Sequence, residues 1–179
     1  MNKTREKITR IAIELFAVNP AASMDEVAKK AEVGRATLFR HFKCRNDLLN
    51  ELTVNVETLF EESVKPVIYK QEKAEVIFKE VVELIIPLGA RFQFLSYVPL
   101  KTDNEKANER YKSYLNALKD LVKKMIDEKL LSDKMPVEWL ANNLDSMIFT
   151  AWVSIQDGDI APKQASQLVI DCYLKGFGA

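Results

Sequence analysis

Residues 34–45 read GRATLFRHFKCR: Arg35, Arg40, Lys43 and Arg45, two phenylalanines, no acid, and His41, the one histidine in the chain. Guanidinium groups can pair bidentately with phosphate oxygens or with the O6 and N7 edge of guanine, while hydroxyl and imidazole groups hold phosphates. That is chemistry for gripping and reading a polyanion. Catalysis is poorly served, because one histidine and no clustered His, Cys, Asp or Glu leave an all-α enzyme without an acid–base pair, a nucleophile or a metal set.

The spacing makes this stretch a two-faced helix. Leu38 and Phe42 lie one turn apart on one side. Arg35 with Phe39, Ala36 with Arg40, and Thr37 with His41 form the other. A small residue such as Ala36 lets a helix approach base edges closely. A basic face that serves only solubility would not need so regular an apolar face behind it.

Elements on either side must hold such a helix in place. Ile8, Ile11, Ala12, Leu15 and Phe16 follow the stripe of an amphipathic helix, which Asn19-Pro20 ends. Ser23 and Glu26 then have the S-x-x-E spacing of a capping box, so a short second helix starts there with Val27, Ala28 and Ala31 inward. A third short helix begins near Gly34. The fourth opens at Arg45 or Asn46, carries Leu48, Leu49, Leu52, Val56, Leu59 and Phe60, and runs out towards Pro66. A short helix, a tight turn and a second short helix make a helix-turn-helix.

The rest of the 179-residue chain is also helical in pattern, with no run of alternating β-branched residues. Residues 104–131 read as one helix, and about 137–157 and 162–176 as the last two. The DGD at 157–159 lacks the further oxygen ligands of a calcium loop, so it is read as the turn between them. The apolar segment 81–100 contains Glu83, Arg91, Pro87 and Pro99, which suits buried helices better than a membrane span. The fold class is therefore all-α, with a helix-turn-helix domain over 1–48 and a larger helical bundle over 49–179.

Net charge is zero overall but unevenly spread: residues 1–50 hold ten Lys and Arg against six Asp and Glu, and the remainder sixteen against twenty. One end is suited to meet a polyanion. Cys44 and Cys172 form no disulfide framework or metal spacing, which fits a reduced, cytoplasmic protein. Glu14 interrupts the first apolar run, against a signal peptide. No cofactor or metal is expected. Cys44 lies between Lys43 and Arg45, a setting that favours a thiolate, but no second cysteine is near in sequence to make a redox switch.

The stretch VAKKAEVGRATLFRHFKCRNDLL, with Ser23 upstream, resembles the DNA-binding signature of the tetracycline-repressor (TetR) family without a gap over about residues 5–52. This resemblance implies a homodimer that binds a pseudo-palindromic double-stranded DNA operator through paired recognition helices. It also implies a C-terminal domain that binds a small-molecule effector and releases DNA, most simply as a repressor. By position, Arg35, Ala36, Thr37, Phe39 and Arg40 fall on the recognition helix, and Ser23, His41 and Arg45 where phosphate is met. Three residues depart from the family pattern: Glu32 stands in place of a turn glycine, Gly34 in place of a serine cap, and Phe39 in place of tyrosine.

Aromatic residues and an arginine in the bundle are candidates for an effector pocket: Arg91, Phe94, Tyr111, Tyr114, Phe149 and Trp152. The dimer bundle that the resemblance implies would draw on Met147, Ile148, Ala151, Ile155, Leu168, Val169, Cys172 and Tyr173. A DNA-binding architectural protein of the same fold, without an effector pocket, is the alternative reading.

Overall fold

A computed structural model describes the backbone of residues 3–89, 91 and 105–179, and leaves out the side chains of 57, 105–108, 110 and 111. In chain order the helices are α1 (Lys3–Val18), α2 (Met24–Lys30), α3 (Arg35–His41), α4 (Arg45–Leu59), α5 (Lys65–Ile68), α6 (Ala74–Ile85), α7 (Glu105–Asp127), α8 (Val137–Gln156) and α9 (Pro162–Phe177). A π-helical turn, Phe60–Val64, precedes α5, and a 3₁₀ turn, Ile86–Leu88, follows α6. No strand occurs among the described residues, and no helix among them is long and apolar enough to cross a membrane.

Helical conformation persists past Pro66, where the sequence predicts a stop. Proline lacks an N–H and crowds the carbonyl four residues back. The π turn shifts the ladder by one residue, with Lys65 N–H donating to the Phe60 carbonyl, so the proline enters at the start of α5.

Three helix ends share one geometry. After α2, the Val33 N–H reaches the Ala28 carbonyl (3.0 Å) and the Glu32 N–H reaches Lys29 (3.1 Å). After α7, Leu130 and Lys129 repeat the pattern onto Met125 and Ile126, and after α8, Asp159 and Gly158 repeat it onto Ser154 and Ile155. This Schellman closure needs a left-handed residue, and the φ values are 54° at Glu32, 60° at Lys129 and 81° at Gly158. Only the last is glycine, so DGD is a helix stop followed by the proline that opens α9.

Two compact units divide the chain: Met1–Thr58 with Ala90–Tyr111, and Leu59–Gly89 with Lys112–Ala179. The first has its core in Ile8, Ala12 and Phe16 of α1, Val27 and Ala28 of α2, Leu38 of α3, and Leu48, Leu52 and Val56 of α4, all essentially sealed from solvent. In the second, α6, α7, α8 and α9 bury Ile77, Phe78, Leu118, Val122, Leu144 and Val169. Tyr173 stacks on Phe78 (5.4 Å between centroids) and donates its hydroxyl to the Leu140 carbonyl at 2.9 Å. Gly89 is required by close approach, since a β-carbon there would sit 2.6 Å from Cβ of Trp152.

The second unit also buries a carboxylate. Asp145 is 9% exposed and accepts the Tyr114 hydroxyl at 2.7 Å. Burial pushes its carboxyl up to about 6, against a smaller opposing effect of that hydrogen bond.

Two outcomes follow from this packing. Above pH 6 the folded state carries a buried charge that the unfolded chain solvates, and the penalty is relieved as pH falls from about 6 through 3.8. Asp145→Asn should therefore stabilise the protein above pH 6, by about 1–3 kcal/mol, and flatten stability over that window. Urea unfolding across pH is the measurement; lower stability of the variant at pH 7.5 would refute it. Glu32→Gly should relieve a left-handed backbone worth roughly 1–2 kcal/mol and forfeit only a surface ion pair, for a net gain of about 1 kcal/mol in thermal unfolding.

Candidate nucleic-acid interface

The site is built on α2 and α3. Ser23 caps α2 in both directions: its Oγ accepts the Glu26 N–H (3.2 Å), and its own N–H donates to Glu26 Oε2 (2.7 Å). The Ser23 N–H and the Ser23 hydroxyl, both donating to Oε2, hold the Glu26 carboxyl below the usual range. Ala31 and Val27 are fully buried and Ala28 nearly so, which lets α2 and α3 pack closely. Gly34 caps α3 in extended conformation without a side-chain bond.

Leu38 and Phe42 are sealed (0% and 1% exposed), so the opposite side of α3 must face outward. Arg35, Ala36 and Arg40 are exposed there, and Thr37 and Phe39 are half-buried at its edges. The Arg35 guanidinium lies 5.4 Å from the Phe39 ring centroid, and its Nη1 donates to Asp25 Oδ2 at 3.0 Å. This exposed face is what the sequence spacing predicts.

The remaining basic residues divide between surface and scaffold. Arg45, expected at phosphate, points back into the fold. Its Nη2 donates to the Pro20 carbonyl at 2.6 Å, its Nε to the Ala22 carbonyl at 3.4 Å, and its guanidinium stands 4.8 Å from the Phe16 centroid. It thereby satisfies carbonyls of the α1–α2 connection. His41 is half-buried, and its Nε2 is buried without a hydrogen-bond partner among the described residues. Its carbonyl accepts Arg5 Nη1 at 3.1 Å. Ser23 is exposed, with its hydroxyl already engaged in the capping box.

Arg5 carries no signal in the sequence, yet it is a hub. It forms a bidentate ion pair with Glu51 of α4, bonds the end of α3 through His41, and lies 4.6 Å from the Phe42 centroid. Partners 46 residues apart cannot be matched by helical spacing. Asp25, the partner of Arg35, was missed for the same reason. Lys7 of α1 pairs with Glu32 at 2.7 Å, tying the left-handed turn residue to the first helix.

The described candidate effector residues fall in both units. Tyr114 is fully buried on Asp145 and edge-on to Phe60 (5.7 Å), and Trp152 is buried against Gly89. Phe149 is half-buried and stacked on Trp152 at 5.7 Å. Arg91 lines a cleft of about 500 Å³ in the first unit with Lys3, Glu6, Lys7, Arg10 and Asn55. Phe94 and the Tyr111 side chain lie outside the described residues.

Of the candidate dimer residues, Ile148, Ala151, Val169 and Tyr173 are buried within the second unit. Met147 and Ile155 are half-buried, and Leu168 and Cys172 are exposed. Among the described residues, no three His, Cys, Asp or Glu side chains cluster to hold a metal.

Comparison with known proteins points one way. Residues 8–52 match the model of the bacterial regulatory proteins of the tetR family. The HTH-type transcriptional repressor LfrR of Mycolicibacterium smegmatis is 30% identical over 97 residues, which cover 54% of this chain. The aligned part spans about half of that relative's own length (51%).

Solved structures are similar over nearly the whole chain. LfrR from Mycobacterium smegmatis in complex with proflavine has a TM-score of 0.74 at 20% identity, covering 98% of this chain and 97% of that one. MbdR from Azoarcus sp. CIB has a TM-score of 0.73 at 15% identity, covering 98% and 100%. AibR with isovaleryl coenzyme A and operator DNA has a TM-score of 0.69 at 16% identity, covering 94% and 96%. At these identities the structures speak for the fold. The chain thus has the fold of these structures, and its residues 8–52 match the helix-turn-helix of the tetR family of bacterial regulatory proteins.

Proposed function

We propose that this chain is a transcriptional regulator, acting as a repressor, that binds a pseudo-palindromic DNA operator as a homodimer in the cytoplasm. A small-molecule effector releases it. The observation that carries this reading is the outward face of α3: Arg35, Ala36 and Arg40 stand exposed directly behind sealed Leu38 and Phe42. A helix held in that way presents donors to the major groove with a small residue between them.

In this reading residues 1–48 meet DNA and 49–179 bind the effector and the second copy. Arg40 reads bases and Thr37 steadies the helix on phosphate. Arg45 contributes by holding the α1–α2 connection that carries Ser23. AibR was solved with both a coenzyme A ester and operator DNA, and LfrR with an aromatic dye, which supports a coupled pair of sites here. Leu168 and Cys172, exposed on α9, with half-buried Met147 and Ile155 of α8, offer apolar groups to a partner copy.

Genome-wide binding, followed by titration of the recovered site, is the deciding experiment. Arg40→Ala should weaken that site by about 1–3 kcal/mol and relax the base preference at one position in each half-site. Arg45→Ala should instead lower thermal stability, by about 1–2 kcal/mol for lost bonds to two carbonyls. Unchanged affinity of Arg40→Ala would remove α3 from the reading. Sedimentation at micromolar concentration should give a dimer, with recognition helices spaced about 34–36 Å in the DNA complex; a monomer would refute it.

A further inference from the structure

The pair between Arg35 and Asp25 has no evident role in stability. Both side chains are largely exposed, 71% and 57%, and exposed pairs contribute little. Its position gives it another use. Arg35 is the first residue of α3 and faces outward beside Ala36, where a duplex would lie. An unpaired arginine there would bind any phosphate it met, with no regard to sequence.

The contact is made through one nitrogen only. Nη1 donates to Asp25 Oδ2, which leaves Nη2 and Nε to donate elsewhere. The Phe39 ring centroid lies 5.4 Å from the guanidinium. Asp25 itself sits in the first turn of α2, whose backbone is held by the Ser23–Glu26 capping box. The two neighbouring acids are already engaged, Glu26 with Ser23 and Glu32 with Lys7.

We propose that Asp25 is a specificity-determining residue that converts Arg35 from a phosphate-seeking cation into a locally neutral hydrogen-bond donor. This rests on the DNA-binding reading above. A phosphate gains little from a guanidinium whose charge is already balanced, and it is repelled by the carboxylate alongside. A guanine edge asks only for donors, and Arg35 keeps those. Asp25 therefore suppresses sequence-blind binding and spares base readout.

The test is the salt dependence of binding of the full chain to a mixed-sequence DNA duplex, followed by fluorescence anisotropy. Asp25→Asn should tighten this binding and steepen the slope of log K against log salt by about 0.9 per protomer, one extra phosphate contact. Asp25→Ala, which also lacks the charge, should do the same. In an Arg35→Ala background, Asp25→Asn should leave the slope unchanged, because no freed guanidinium remains.

An unchanged slope in Asp25→Asn, with the unsubstituted protein binding normally, overturns this proposal alone. So does equal steepening with and without Arg35, which would mean that the carboxylate acts only by direct repulsion. Failure of the unsubstituted chain to bind any duplex at low salt would overturn the DNA-binding reading itself.

Discussion

Burial of Leu38 and Phe42 is the constraint from which the rest of the first unit follows. Once these two side chains are sealed, α3 can present only one face to solvent, and that face carries Arg35, Ala36 and Arg40. Small residues on α2 let the two helices approach, and Arg5 of α1 locks the far end of α3 through the His41 carbonyl and Glu51. A surface for reading DNA has to hold its donors steadily, because base edges reward geometry more than charge.

Charge in this region is managed as closely as packing. Several of the basic residues in the first half of the chain are paired: Arg5 with Glu51, Lys7 with Glu32, and Arg35 with Asp25. Arg45 is turned into the fold, where burial lowers its pKa and backbone carbonyls take its donors. The local excess of positive charge thus overstates the number of cations available to a phosphate backbone. Arg40 stays exposed on the outward side of α3.

The second unit is built differently, around aromatic packing with one buried acid. Tyr173 stacks on Phe78 and meets Phe177 edge-on, and Tyr114 supplies the hydrogen bond that accompanies Asp145 out of water. Above pH 6 this buried carboxylate costs stability, because burial disfavours its charged form.

Much of this was legible in the residues alone. Local spacing predicts α1 to α4, the capping box at Ser23, the inward set on α2 and α3, and the stop at DGD, because each depends on neighbours within a turn or two. The resemblance marks Glu32 as standing where a turn glycine is usual, and the folded chain holds it at a left-handed φ of 54°. Three things were not legible. The π turn that carries helix past Pro66 is a shift of register, which apolar spacing does not encode. The partners of Arg5, Arg35 and Arg45 lie 10 to 46 residues away, so only the folded chain brings them together. How deeply Tyr114 and Trp152, named as candidate pocket walls, are buried is decided by which helices close over them. Local pattern determines where helices start, stop and face; tertiary structure alone decides which charges are left to act, because pairing depends on distance in space.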